Sequence, residues 1–446
     1  MTTRLYALGS NSSGQLGIGH HEDVDVPTPC HFIRIPMSCA KISNTDLNGN
    51  DVDFKRSCDL KSNVRKIVAG GNHTIVLCDN GAVYAAGNRE ALGEAIDLGS
   101  QNPGPDESSS CDLSSYFTRV MWWEDSQMLD TFTDVSASWS ASFFVVAPQI
   151  QNGFVVRFGQ IYVCGKGEKG ELGLGENVVE TAKPRRVAVF GSKDYPLYTS
   201  IDPDEVPLIP GILAGIWSSV AYTVTCSTDE VHIFGWGSCR KGQLGGSARE
   251  KKVLWKPTKI ADEDIKQDIE IDRIFMAAVG KDFTLLLGTH GKQDNRVRKW
   301  RLLGGNSIVK NDGDDARKFL ADLSIPIPTG EIAWLRTTPF AGWSNVYVLE
   351  SRTQKVKALG RNDRGQLPPE ELPGVSTMAA GSEHCVCLTS QGKAVAWGWG
   401  EHGNCGRKSD ETGQGWSTLD LPSAGAERIT GVGAGCATTF IWTTER

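Results

Sequence analysis

The chain has 446 residues, 39% of them hydrophobic and 22% charged, a balance that excludes a disordered polymer and provides for a folded core. Its formal charge is −7 with a pI near 5.7, and no basic tail is present, so direct nucleic-acid binding through phosphates is not expected. Fifty glycines, about 11% against a usual 7%, favour tight turns and argue against long helices.

The N-terminus, MTTRLYALGS, carries no apolar stretch of the length a signal peptide needs, and no run of 18 apolar residues follows. No membrane association is expected, and the expected address is the cytoplasm, with the nucleus as a second site.

In chain order, a first recurring unit is an apolar run, a glycine and a polar turn ending in GQLG or a relative of it. It reads YALGSNSSGQLG at 6–17, YVCGKGEKGELG at 162–173, FGWGSCRKGQLG at 234–245, KALGRNDRGQLP at 357–368 and AWGWGEHGNCG at 396–406. In all five a second glycine follows the first by five positions, as in Gly9 and Gly14 or Gly398 and Gly403. Weaker copies stand at 84–93 and 300–307.

A second unit precedes each turn: a small residue and glycine, a few variable residues, then a β-rich run. Its seven copies are AGGNHTIVLCDNG (69–81), ASWSASFFVV (137–146), AGIWSSVAYTVTC (214–226), VGKDFTLLLG (279–288), AGWSNVYVLE (341–350), AGSEHCVCLTSQG (380–392) and AGCATTFIWTT (434–444). Alternation in these runs and the turns after two of them read as hairpins.

Seven copies of short strands predict an all-β fold, a seven-bladed β-propeller. The termini decide against a linear solenoid. From second-unit glycine to turn glycine, complete copies are separated by 17 to 22 residues, as in 70 to 87 and 215 to 237. The last copy, at Gly435, has 11 residues after it and no turn unit, whereas the chain begins with an orphan turn unit at Gly9. Joined across the termini the separation is 20, so the N-terminal strand is expected to complete the last blade and close the ring. One propeller domain spans 1–446, with surface-loop insertions expected near 44–61, 97–115 and 194–211.

Residues 165–170 and 398–403 match GxGxxG, but a dinucleotide loop must open a helix, and neither ELGLG nor NCGRK starts one. The repeat accounts for these glycines. His402 lies three residues before Cys405, yet no second Cys/His pair completes a four-ligand site. Twelve cysteines include no CxxC pair; Cys385 and Cys387 share one strand face, which permits joint metal binding but fits two packed thiols better. His73 and His384 occupy equivalent positions, three after the second-unit glycine, where a structural role is expected. No GxSxG, HExxH or Walker pattern occurs, so the chain is not expected to be an enzyme.

Thirteen tryptophans recur within the pattern. Trp139, Trp217, Trp343, Trp236 and Trp397 are expected to fill blade-to-blade packing. Trp399 stands at a turn tip where other copies carry Ser10-Asn11 or Arg361-Asn362, so it is either an exposed anchor or packed on a neighbouring loop.

These units resemble those of the regulator of chromosome condensation family, seven-bladed propellers whose founding member exchanges nucleotide on a nuclear GTPase and docks on chromatin. RLYALGSNSSGQLGIGHHEDVDVPTP, VGKDF, GSEH, WGWGEHGNCG and GCATTFIW are more closely similar to a fungal killer-toxin-insensitivity group, also called alpha-tubulin suppressor. That resemblance implies a non-catalytic adaptor paired with a small CSL-type metalloprotein, serving diphthamide synthesis on elongation factor two. It also implies support for Elongator-dependent modification of wobble uridines in transfer RNA. Zinc or iron would belong to the partner, with no cofactor on this chain. The candidate contacts are Lys281, Asp282, Glu383, His384, Trp399, Glu401, His402 and Asn404, motif residues that repeat geometry does not require. The alternative is a guanine-nucleotide exchange factor for a small GTPase.

Overall fold

The computed structural model describes residues 2–34, 55–95, 113–151, 154–157, 159–189, 207–225, 230–266, 271, 273–291, 297–305, 308, 314–324, 337–407, 415–422 and 427–445. Of the expected insertions, 44–54, 97–112 and 194–206 lie outside these residues. Their described ends are ordered: Lys55–Ser57 and Asp59–Leu60 are strands, Leu113–Ser115 is a short 3-10 turn, and Pro207–Ala214 is the first strand of a blade.

Seven antiparallel sheets follow one another around a ring. Blade one is Val64–Ala69, His73–Cys78 and Val83–Gly87, extended by Phe117–Arg119. Blade two is Asp134–Ala137, Ala141–Val146, Gln160–Lys166 and Glu180–Val187. Blade three is Pro207–Ala214, Ser218–Thr225, Glu230–Ser238 and Val253–Lys259. Blades four (Arg273–Val279, Phe283–His290, Val297–Gly304) and five (Thr337–Ala341, Asn345–Glu350, Lys355–Gly360) have three strands each among the described residues. Blade six is Val375–Ala380, His384–Thr389, Ala394–Gly398 and Ser417–Thr418.

Blade seven joins the two ends of the chain. Glu427–Ala434 and Thr438–Glu445 come from the C-terminus, Thr3–Gly9 and Val24–Pro29 from the N-terminus. Thr3–Gly9 pairs residue for residue with Thr438–Thr444, so the N-terminal strand closes the ring as the repeat arithmetic requires.

The register is the same in every blade. The residue three positions after the second-unit glycine, or after Ser138 in blade two, faces the turn glycine. The pairs are His73 with Gly87, Ala141 with Gly165, Ser218 with Gly237, Phe283 with Gly304, Asn345 with Gly360, His384 with Gly398 and Thr438 with Gly9. The seventh pair is made across the termini. In three blades a ring at this position lies over the second-unit glycine: a Cβ on Gly70, Gly280 or Gly381 would meet His73, Phe283 or His384. That close approach is why the glycine recurs.

The second strands, whose alternation read as hairpins, are buried on both faces. His73–Cys78, Ala141–Val146 and His384–Thr389 are buried at every position. Each blade is covered on both faces by its neighbours, so successive side chains enter successive blade interfaces. Cys385 and Cys387 lie in one apolar cluster with Tyr347 and Trp397, while Val386 and Leu388 lie in the next with Leu8 and Ile441. Burial pushes the Cys387 thiol up to about 12 and raises Cys385 as well, as expected of packed thiols.

Arg4 ties the closing strand sideways. Its guanidinium pairs with Asp59 at 2.7 Å and with Glu427, which also accepts from Tyr6 Oη at 2.9 Å and Thr443 Oγ1 at 2.8 Å. Burial would raise the Glu427 carboxyl, but hydrogen bonds from Thr443, Tyr6 and Arg4 hold it below its ordinary value.

Candidate partner-binding face

The turn units are built by local hydrogen bonds. In GQLG the Gln side chain folds back on its own turn: Gln15 Oε1 accepts from Ser13 N at 2.9 Å, Gln243 from Lys241 N at 3.0 Å and Gln366 from Arg364 N at 2.9 Å. Glu171 in GELG accepts from Lys169 N at 2.7 Å in the same way. In WGWGEHGNCG, Gly398 has φ +106° and a Cβ there would lie 2.7 Å from Glu383 O; Gly403 has φ +81°. The glycines of the phosphate-loop match are thus set by the turn, and a turn, not a helix, follows them.

The start of each turn is fastened to the second-unit loop of its own blade, for example Ser10 N to Ala437 O at 2.8 Å, Ser238 N to Trp217 O at 2.8 Å and Trp399 N to Glu383 O at 3.0 Å. Both kinds of loop therefore emerge at one end of the propeller. There the second-unit loops converge on the central channel. Backbone bonds link them from blade to blade: Gly71 N to Trp139 O at 2.8 Å, Lys281 N to Trp343 O at 3.0 Å, Trp343 N to Ser382 O at 2.9 Å and Ser382 N to Gly435 O at 3.0 Å. The cavity there, ≈ 120 Å³, is ringed by small residues such as Gly70, Ser138, Gly215 and Gly381.

Of the recurrent tryptophans, Trp236 and Trp397 do fill blade-to-blade packing. Both are fully buried, and their indole N–H groups donate to the preceding blade's turn, to Glu171 O at 2.7 Å and Gln366 O at 3.1 Å. The other three do not. Trp139 is 44% exposed, and its ring meets that of Trp343, from three blades away, at 5.8 Å and 48° across the channel mouth. Trp217 is half-buried beneath two ammonium groups, Lys169 Nζ at 3.6 Å and Lys281 Nζ at 5.5 Å from its ring centroid. The sequence signal was the Trp-Ser dipeptide in three second-unit loops, where an aromatic outside the strand has no blade interface to fill.

The candidate contacts fall on this end of the molecule, but they divide by burial. Trp399 is 38% exposed, with the Arg364 guanidinium 5.1 Å from its ring centroid. Glu401 and His402 are exposed, and His402 Nδ1 pairs with Asp23 Oδ2 of blade seven at 3.0 Å. Lys281 and Asp282 are half-buried beside the channel mouth.

Glu383, His384 and Asn404 are buried and brace the loops instead. Glu383 accepts from Gln366 Nε2 at 2.9 Å and pairs with Arg361 at 3.5 Å; Asn404 Nδ2 donates to Trp399 O at 2.9 Å. His384 Nε2 lies 2.8 Å from Thr439 Oγ1, and burial pushes its imidazole down to about 4, as it does His73. Asn404 and, through Thr439, His384 hold the exposed tip in place, while the Glu383 side chain fastens the turn of blade five beside it.

His402 and Cys405 do not converge. The imidazole turns to Asp23, whereas Cys405 is buried in the core between blades six and seven. Among the described residues no cluster of three or more His, Cys, Asp or Glu could hold a metal.

Comparison with known proteins agrees with this geometry. Residues 64–89, 159–197 and 375–404 match family models described as the regulator of chromosome condensation (RCC1) repeat. An RCC1 repeat-containing protein of Schizosaccharomyces pombe is 26% identical over 98% of each chain. The secretion-regulating guanine nucleotide exchange factor of Mus musculus is 22% identical, over 97% of this chain and 82% of its own. Among solved structures, Prp20p of Saccharomyces cerevisiae superposes with a TM-score of 0.59 at 16% identity, covering 100% of this chain and 92% of that one. The protein is a seven-bladed propeller in which residues 64–89, 159–197 and 375–404 match the regulator of chromosome condensation repeat.

Proposed function

We propose that the protein is a non-catalytic adaptor that pairs with a small CSL-type metalloprotein. In that role it serves diphthamide synthesis on elongation factor two and Elongator-dependent modification of wobble uridines in transfer RNA. The metal, zinc or iron, belongs to the partner, and the complex works in the cytoplasm with access to the nucleus. The observation that carries the reading is the end of the propeller where Trp399, Glu401 and His402 stand exposed, the same end that carries Trp139, Trp343 and Lys281. Exposed aromatic anchors with charged neighbours on a rigid frame are the composition of a protein-binding hot spot. The test is affinity purification of the tagged chain from its native cell: a small Cys-rich metalloprotein should be recovered at one to one. Its absence, together with accelerated nucleotide release from a small GTPase, would overturn the reading.

Guanine-nucleotide exchange is the second reading. It is favoured by the similarity to the secretion-regulating exchange factor along nearly the whole of this chain. The same exposed end would then wedge against a GTPase.

A further inference from the structure

The net charge of −7 conceals a polarised ring. Blade three carries an exposed cationic rim: Arg240, Lys241 and Arg249 from its turn, then Lys251, Lys252, Lys256 and Lys259 running into and along its outer strand. Over 240–266 there are eight Lys and Arg against four Asp and Glu. One of the four, Asp264, is buried and spent on the backbone of its own turn, accepting from Gly246 N at 2.8 Å and Ser247 N at 3.2 Å. The matching segment of blade seven, on the opposite side of the ring, has Glu22, Asp23 and Asp25 and no Lys or Arg between residues 10 and 29.

Protection of an outer edge against strand addition explains a lysine and a proline on the strand, here Lys256 and Pro257. It does not explain cations throughout the preceding turn, nor the opposite sign on blade seven. We propose that the rim of blade three, from Arg240 to Lys259, binds the phosphodiester backbone of a nucleic acid, an inference independent of the adaptor reading.

Three features favour that ligand over an acidic protein segment. Five of the seven rim cations are lysines, point charges suited to shape-tolerant phosphate neutralisation rather than to forked carboxylate pairing. Half-buried Trp255 lies among them, between Lys252 and Lys256, where an aromatic face can meet a sugar or base. The outer strand is also interrupted by Pro257, which removes a backbone donor that a peptide adding to the edge would use.

The test is fluorescence anisotropy of the full chain with labelled RNA and DNA duplexes of about 24 base pairs, at about 50 and 200 mM salt. Binding of either duplex at low salt is expected to weaken steeply at high salt. The combined Lys251→Glu, Lys252→Glu and Lys256→Glu variant should bind at least about tenfold more weakly, with a shallower salt slope. A control with Lys183→Glu, Arg185→Glu and Lys355→Glu makes the same change in net charge at exposed sites elsewhere and should lose less than about threefold. Preference for one duplex would identify which nucleic acid the rim takes. No binding of either duplex at low salt, or equal losses in the two variants, would overturn the proposal. So would polyglutamate binding more tightly than both duplexes, which would assign the rim to an acidic protein.

Discussion

His384 reaches across a blade boundary. Its Nε2 lies 2.8 Å from Thr439 Oγ1 of blade seven, and Thr439 Oγ1 in turn donates to Asn404 O at 2.7 Å behind the exposed turn of blade six. Thr439 has one proton and gives it to the carbonyl, so the imidazole must donate through Nε2, and burial disfavours its charged form more than the Thr438 backbone favours it.

That arrangement predicts an acid-sensitive fold. His73 and His384 titrate near 4 in the folded chain and near 6.5 when unfolded. A lowered histidine pKa gives stability that is complete above the unfolded value and is lost as pH falls from about 6.5 through about 4, amounting to about 3 kcal/mol per group. Replacing both by Phe, the residue blade four uses at the same register position, should flatten the fall in Tm between pH 7 and pH 4. An unchanged slope would show that other groups carry it.

Closure by Arg4 is open to a double-mutant cycle. Arg4→Ala leaves the Glu427 carboxylate, whose side chain is 6% exposed, with Tyr6 and Thr443 alone. The expected cost is about 1–2 kcal/mol, and adding Glu427→Gln should recover part of it. Hydrogen exchange should quicken first in Thr3–Gly9, the strand that Arg4 anchors.

Two turn glycines should respond differently to alanine. At Gly398 the new Cβ would meet Glu383 O and His384 Cα at 2.7 Å, so both φ and space oppose it, and a loss of about 3 kcal/mol is expected. At Gly365, φ is +73° but nothing lies within 4 Å, so only the left-handed backbone penalty of about 1 kcal/mol applies. Chemical denaturation of the two variants compares them directly.

Trp399→Ala combined with His402→Ala removes exposed side chains and should leave Tm within about 2 °C of the parent chain. Binding of the proposed metalloprotein partner should weaken by about tenfold or more. The reverse pattern, a large drop in Tm with binding intact, would place both residues in the fold rather than the interface. Trp139→Ala tests in the same way whether the channel mouth belongs to the same surface.

The repeat carried the architecture into the sequence. Seven blades, their register and the closure at the termini follow from glycine spacing, because each blade repeats one backbone solution that needs glycine at the same places. Trp236 and Trp397 were legible as packing residues for the same reason: they sit inside strands with a fixed interface to fill.

What the sequence could not contain is which motif residues face solvent. Glu383, His384 and Asn404 share their motifs with Trp399 and His402, yet only the folded ring shows that the first three are enclosed by neighbouring blades. Trp139 and Trp343, 204 residues apart, meet only because the ring brings blades two and five to one channel. The cations of residues 240–259 stand together in the sequence, but only the fold shows that all seven are exposed along one rim, across the ring from the acidic turn of blade seven. Local geometry, set by neighbours along the chain, is written in the sequence; exposure, proximity across the ring and the direction of charge are decided by tertiary packing.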